Sequence, residues 1–196
     1  MGWFAGWLSR RAANRRRQSE FLGAHISPET RAAVEAAQAR RARAFADPTL
    51  SPLAALLTWW GQPPVASPPE PEIRALEVRY ALRLPDDFRA YLMATMPQGN
   101  EWDDEGTRWF PLADIKSLGD ETTSWETKST LDNDKLLVFA DFLMWCYAWA
   151  VDCSDTENRG KVALIAGSDR HPDHYVADSF DDFLARYLRD DHSLHQ

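Results

Sequence analysis

The stretch Leu136–Ser154, LLVFADFLMWCYAWAVDCS, decides how this chain is read. Phe139, Phe142, Trp145, Tyr147 and Trp149 fall within eleven positions, in a part of the sequence otherwise rich in carboxylates. Asp141 and Asp152 interrupt the run, which makes it too short and too charged to span a bilayer. Buried strand is the reading that fits. From Trp145 onward, alternation sends Trp145, Tyr147, Trp149, Val151 and Cys153 to one face and Cys146, Ala148, Ala150 and Asp152 to the other. One face is bulky and the other small, which predicts a central strand packed on both sides, with a helix over the small-residue face.

The same stretch holds both cysteines, Cys146 and Cys153. Their odd spacing places them on opposite faces of a continuous strand, so a disulfide between them is excluded unless the strand breaks. Free, buried thiols in a reducing cytoplasm are expected, and with no second cysteine pair nearby a zinc site built on them is not.

Working outward, charge divides the chain. The 196 residues carry a net charge of −8. Residues 1–46 hold nine arginines against three glutamates, a net of +6, so the remainder carries −14. A basic arm on an acidic body implies two different partners, or an arm folded back on its own body. Phosphate repulsion argues against nucleic acid as a ligand of the body, and the same charge favours basic partners.

The N-terminus, MGWFAGWLSRRAANRRR, places its apolar residues before its arginines, the reverse of a secretory signal, and position 6 is Gly rather than the Ser or Thr of a myristoylation signal. Its Arg-rich, acid-poor composition is that of a mitochondrial presequence. Residues 9–22 read as a short basic helix with Ser9 as N-cap and Gly23 as stop. Either this arm meets an anionic membrane surface, a contact confined to residues 1–23, or it packs on its own or a neighbouring protomer.

Ser27-Pro28 starts a second helix to Ala46, whose large apolar residues are nearly limited to Val34 and Phe45, so a helix that is mainly solvated or docks elsewhere is expected. Leu50–Trp60 follows with Leu53, Leu56, Leu57 and Trp60 at helical spacing and Gly61 past its end. The tract QPPVASPPEPE, 62–72, is the expected boundary between a helical extension, 1–61, and the main domain, 73–189, with a tail at 190–196. The domain opens with a helix over 71–82 that turns Ile73, Leu76, Tyr80 and Ala81 inward. Pro85 then starts a helix over 86–96, with Asp86 and Asp87 in its first turn and Phe88, Tyr91, Leu92 and Thr95 on its buried face. After a turn at Pro97, Gly99 and Asn100 come a loop or hairpin at 101–106, a strand at 108–111, a short helix or turn at 112–118 and a long loop at 119–135. Strands at 161–166 and 175–177 and a last helix at 180–189, capped by Ser179 with Asp182 three residues on, complete the domain. Phe183, Leu184, Tyr187 and Leu188 form that helix's core stripe.

The order EIRALE, LPDDFRAYL, FPLADI, LLVFADFLMWCYAW, GKVALI and VADSFDDFLARYL, spread over about residues 71–189, closely resembles the SUKH superfamily and its SMI1/KNR4 group. The resemblance implies a single α+β domain, a mostly antiparallel sheet flanked by helices. It also implies a binding role: many bacterial members are thought to be immunity proteins that neutralise toxins, often nucleases, while others are linked to scaffolding or signalling. This chain has Ala81-Leu82-Arg83 where the family often places Gly before its Leu-Pro pair, and Gly99-Asn100 in place of Asn-Gly.

Catalytic patterns are weak. His171-Pro172-Asp173-His174 lacks a third ligand fixed by spacing and reads as a solvated turn, and His192 and His195 fall in a tail expected to fray. Ser154 and Ser168 lack a nucleophile-elbow setting, and no Gly-rich phosphate loop occurs. No enzyme, metal or cofactor is expected. Recognition is. Glu101, Asp103, Asp104 and Glu105 surround Trp102, Asp132 and Asp134 precede the central stretch, and Asp152, Asp155 and Glu157 follow its end. If these loops meet, they form an acidic patch with an aromatic anchor, suited to a basic toxin of nuclease type. The competing reading is an adaptor attached to a membrane or an acidic protein through Trp3, Phe4, Trp7 and the arginines of the arm.

Overall fold

The computed structural model describes residues 27–61, 69–94, 101–103, 106–121, 129, 131–166 and 172–195. The basic arm with its helix at 9–22, most of the proline tract, the end of the 86–96 helix with Thr95 and its Gly-Asn turn, His171 and Ser168 lie outside them.

Helix α1, Pro28–Ala46, runs into α2, Pro52–Trp60. Ser51 Oγ accepts the Ala54 N–H at 3.2 Å and Gly61, with φ of 65°, receives the last turn. The inward face of α2 is Ala55, Leu56 and Trp59 instead of the Leu53–Trp60 stripe of the sequence reading; Leu53, Leu57 and Trp60 are half-buried. Arg40 of α1 donates to the Trp59 carbonyl at 3.2 Å, and the Arg41 guanidinium sits 4.8 Å over the Trp59 ring. The basic helix thus packs through arginine stems and heads.

Helix α3, Glu70–Arg79, buries Ile73 and Leu76. It ends three residues early, and Ala81, expected inward, is exposed with φ of 47°. The Leu82 N–H bonds the Glu77 carbonyl at 3.0 Å, a Schellman closure with alanine at the left-handed position that glycine favours. Helix α4, Asp86–Ala94, buries Phe88, Tyr91 and Leu92.

An antiparallel sheet follows. Strands β1, Glu101–Trp102, and β2, Thr107–Trp109, form a hairpin; β3, Lys116–Ser117, pairs with β4, Leu136–Phe142; then come β5, Tyr147–Asp152, β6, Val162–Ile165, and β7, His174–Ala177. The order is β1-β2-β4-β5-β6-β7, with β3 beside β4. Between β3 and β4 lies the short helix α5, Leu118–Glu121. Helix α6, Phe180–Leu188, closes the domain, and Ser179 Oγ accepts the Asp182 N–H at 3.0 Å as its cap. The fold is α+β, and the expected sheet and flanking helices are present.

The central stretch is a hairpin and not one strand. β4 and β5 are joined by Leu143–Cys146, so Trp145 and Cys146 leave the alternation, which holds only for 147–152. Nothing in LMWC is a turn former, and the break was invisible to a pattern that looks for Gly, Asn or Pro. Cys146 is therefore exposed, not buried, while Cys153 is buried; both thiols are free. The helical layer also lies on the opposite side from the one expected. Trp149 packs edge-on to Phe183 at 5.4 Å, and Phe139 meets Phe88, Phe180 and Phe183, so helices α4 and α6 cover the bulky face. Size decides this: burying Trp149 and Phe139 against rings removes far more apolar area than covering alanines.

Two further elements join this core. Trp59 of α2 packs 6.2 Å from Tyr187, and Trp60 packs 5.2 Å from Trp109, so α2 shares the core although it precedes the proline tract. The tail does not fray. His192–His195 forms a 3-10 turn in which the Leu194 carbonyl accepts the Trp149 Nε1–H at 3.0 Å and His195 Nδ1 lies 2.6 Å from the Tyr147 hydroxyl.

Candidate partner-binding surface

The β4–β5 hairpin fixes where the acidic loops sit. Leu136 pairs with Asp152 at its open end and Phe142 with Tyr147 at its closed end, about 20 Å away at strand rise. The β1–β2 turn lies at the closed end, because the Leu143 N–H donates to the Gly106 carbonyl at 3.1 Å. Asp132, Asp134, Asp152 and Asp155 lie at the open end. The structure does not bring the two acidic groups together.

Nor do all their carboxylates face solvent. Asp103 Oδ1 accepts the Thr107 N–H at 3.0 Å, and Oδ2 accepts Trp109 Nε1–H at 3.0 Å and the Tyr187 hydroxyl at 2.5 Å. It ties the β1–β2 turn to α6. Asp152, 3% exposed, accepts the Ser154 N–H at 2.8 Å and the Tyr175 hydroxyl at 2.5 Å. Burial first, and the Asp152 charge beside it, push the Tyr175 hydroxyl well above its ordinary range. These two aspartates serve the fold. Glu101 and Trp102 form β1, but their side chains, like residues Asp104 and Glu105, lie outside the description.

Asp132, Asp134, Asp155 and Glu157 are exposed. Asp132 Oδ1 accepts the Asp134 N–H at 3.2 Å, and Asp155 makes only a 3.8 Å pair with Arg159. Two cations at this end, Lys135 and Arg159, are turned inward. Lys135 Nζ donates to the Tyr80 and Ala81 carbonyls at 3.0 and 2.8 Å, closing the C-terminus of α3. Arg159 donates to the Leu84 carbonyl at 3.1 Å and the Ser154 carbonyl at 3.4 Å. Asp86 and Asp87 belong to the same end, since they follow the Leu84-Pro85 step that Arg159 holds. The open end therefore shows its carboxylates outward with Lys135 and Arg159 turned inward, while Arg83 stays exposed 3.9 Å from Asp86.

The closed end carries what the sequence reading missed. Leu143, Met144 and Trp145 all have positive φ, 45°, 56° and 68°, at roughly 1 kcal/mol or more each for residues with a Cβ. Leu143 is 50% and Met144 80% exposed. The turn is held from below: the Cys146 N–H bonds the Phe142 carbonyl at 2.9 Å, and Asp141, fully buried, accepts the Trp145 N–H at 3.4 Å. Asp141 is itself in close contact with Arg108, whose Nε donates to it at 2.8 Å.

Among the described residues no group of three or more His, Cys, Asp or Glu is placed to hold a metal ion, and no helix is long and apolar enough to cross a membrane. The chain belongs to the SMI1/KNR4 family (SUKH-1), whose family model matches residues 68–186. Its domains are known as immunity-protein-like, act in protein–protein interactions and are generally non-catalytic. The match begins after α2, although α2 shares the core. No curated protein matches the sequence.

Proposed function

We propose that this chain is a non-enzymatic immunity module of the cytoplasm that binds a basic, nuclease-type toxin domain of a bacterial polymorphic toxin system and covers its substrate site. The observation that carries this reading is the charge arrangement at the open end. Asp132, Asp134, Asp155 and Glu157 face solvent while Lys135 and Arg159 are spent on backbone carbonyls. A nuclease must present cations to phosphate, and an acidic surface competes for that same site. Charge of this kind acts mainly on encounter, raising the association rate and making it salt-dependent.

The test looks for a polymorphic toxin encoded beside this chain and uses a catalytically inactive form of its C-terminal domain. Association is measured over a salt series for the wild type and for Asp132→Lys/Asp134→Lys/Asp155→Lys. The reading expects the association rate to fall about tenfold or more at low salt in the variant, with a flatter salt slope. Equal rates and slopes in the two proteins would overturn it.

A further inference from the structure

We infer that the Leu143–Met144 tip of the β4–β5 hairpin is the apolar anchor by which this chain grips a basic protein partner that offers a pocket for two aliphatic side chains. The inference rests on the proposed reading for the identity of the partner, and adds a surface that reading does not use.

Three observations converge on the tip. Leu143 and Met144 are large apolar residues exposed at 50% and 80%. Most single exposed apolar residues need no explanation, but these two are adjacent in the turn that joins β4 and β5. Second, the backbone there is strained: three successive residues with a Cβ occupy the left-handed region, at positions where a two-strand hairpin normally places Asn or Gly. Strain retained at a surface turn gives the fold nothing, and it persists here only because Asp141, Gly106 and Phe142 hold the turn from beneath. Third, the turn is already tied down by bonds to Asp141, Gly106 and Phe142 before any partner arrives. A pre-ordered apolar knob loses little freedom on binding, and methionine adapts to an irregular pocket.

Charge selects the partner. Residues 47–196, the part that bears the tip, carry −14, so this body attracts a basic protein and repels both another such body and an anionic bilayer. Two side chains are also too little apolar surface to hold a membrane. The open end and the tip then divide the work: carboxylates bring the partner in, and the tip slows its departure.

Cys146 supplies a reporter. It is exposed at the base of the tip, and Cys153 is buried, so alkylation of the native chain reads the tip alone. The experiment uses the full chain and the inactive toxin domain, with two variants. Leu143→Ser/Met144→Ser removes the apolar groups; Leu143→Asn/Met144→Gly removes them and relieves the strain. Both are expected to raise Kd about tenfold or more through faster dissociation. The second is expected at the same time to raise Tm, which separates lost binding from lost folding. Cys146 should be protected from alkylation in the wild-type complex. Unchanged dissociation in both variants, with Cys146 still reactive in the complex, overturns the anchor and leaves the proposed function standing. Absence of any wild-type complex removes both. Tip-dependent self-association in sedimentation, or tip-dependent binding to phosphatidylserine vesicles, also overturns the assignment.

Discussion

At the open end of the β4–β5 hairpin, Asp132, Asp134 and Asp155 face water while Lys135 and Arg159 point inward. At the closed end the pattern reverses: Asp103 and Asp141 point inward and Leu143 and Met144 face out. The residue types alone would suggest two similar acidic loops. What separates them is the supply of donors. Asp103 finds a backbone N–H, an indole and a phenol, and Asp141 finds a guanidinium, so both exchange water for charge-assisted bonds. Asp132 and Asp134 have only a turn amide between them, and stay hydrated. A carboxylate becomes surface or scaffold according to its neighbours' hydrogens.

The largest contrast between the two ends should appear in thiol chemistry. Cys146 at the closed end is exposed, while burial pushes the Cys153 thiol at the open end far up. Under native conditions at pH 8, one thiol is expected to react with a disulfide reagent within minutes and the second at least about a hundredfold more slowly, limited by opening. Two thiols of equal rate would show that the open end of the hairpin breathes freely.

Next comes stability. Asp103→Ala leaves an indole N–H and a backbone amide without their acceptor and the Tyr187 hydroxyl with Thr107 Oγ1 alone, and should lower the unfolding free energy by about 3 kcal/mol in urea titration. Asp155→Ala should change it by less than about 0.5 kcal/mol. If the two aspartates cost the same, the distinction between scaffold and surface carboxylate fails.

How much of this was legible in the sequence follows from what each signal measures. Strands β2, β6 and β7, the capped α6 and the Leu84-Pro85 step were readable because hydrophobic period and capping are local. Trp149 was recognised as core, but the side on which its helix lay was not, since alternation gives two faces without saying which one a distant helix covers. The hairpin tip was hidden for a different reason. A turn made of Leu, Met, Trp and Cys is paid for by contacts from Asp141 and Gly106, neither of which announces a turn. For the acidic loops, sequence gave composition correctly but not direction. Asp103 and Asp152 turn inward on bonds to Tyr187 and Tyr175, which are distant in the chain.

A smaller effect tests whether strain at the tip differs from strain elsewhere. Ala81 also has positive φ, but it closes α3 beneath Lys135 and presents no large side chain. Ala81→Gly should stabilise the chain by about 1 kcal/mol with no change in toxin binding. Relief at Leu143 and Met144 should stabilise and also weaken binding. Equal binding in both would make the tip's strain as incidental as that of Ala81.

The smallest effect concerns the acidic end itself. The Asp181 carboxyl at the start of α6 is held above its ordinary value, by burial first and by the Asp87 charge second; the Asp181 N–H donates to Asp87 Oδ2 at 3.1 Å. An acid whose folded pKa is raised binds its proton more tightly folded than unfolded. Its contribution is therefore present below the unfolded value near 3.8 and is lost as pH rises through the folded value. Asp87→Asn should bring the Asp181 titration, followed by carboxyl NMR, part of the way back toward the ordinary value, because burial remains. A full return would make Asp87 the dominant cause, and no movement would mean that the two charges do not sense each other across the α4–α6 junction.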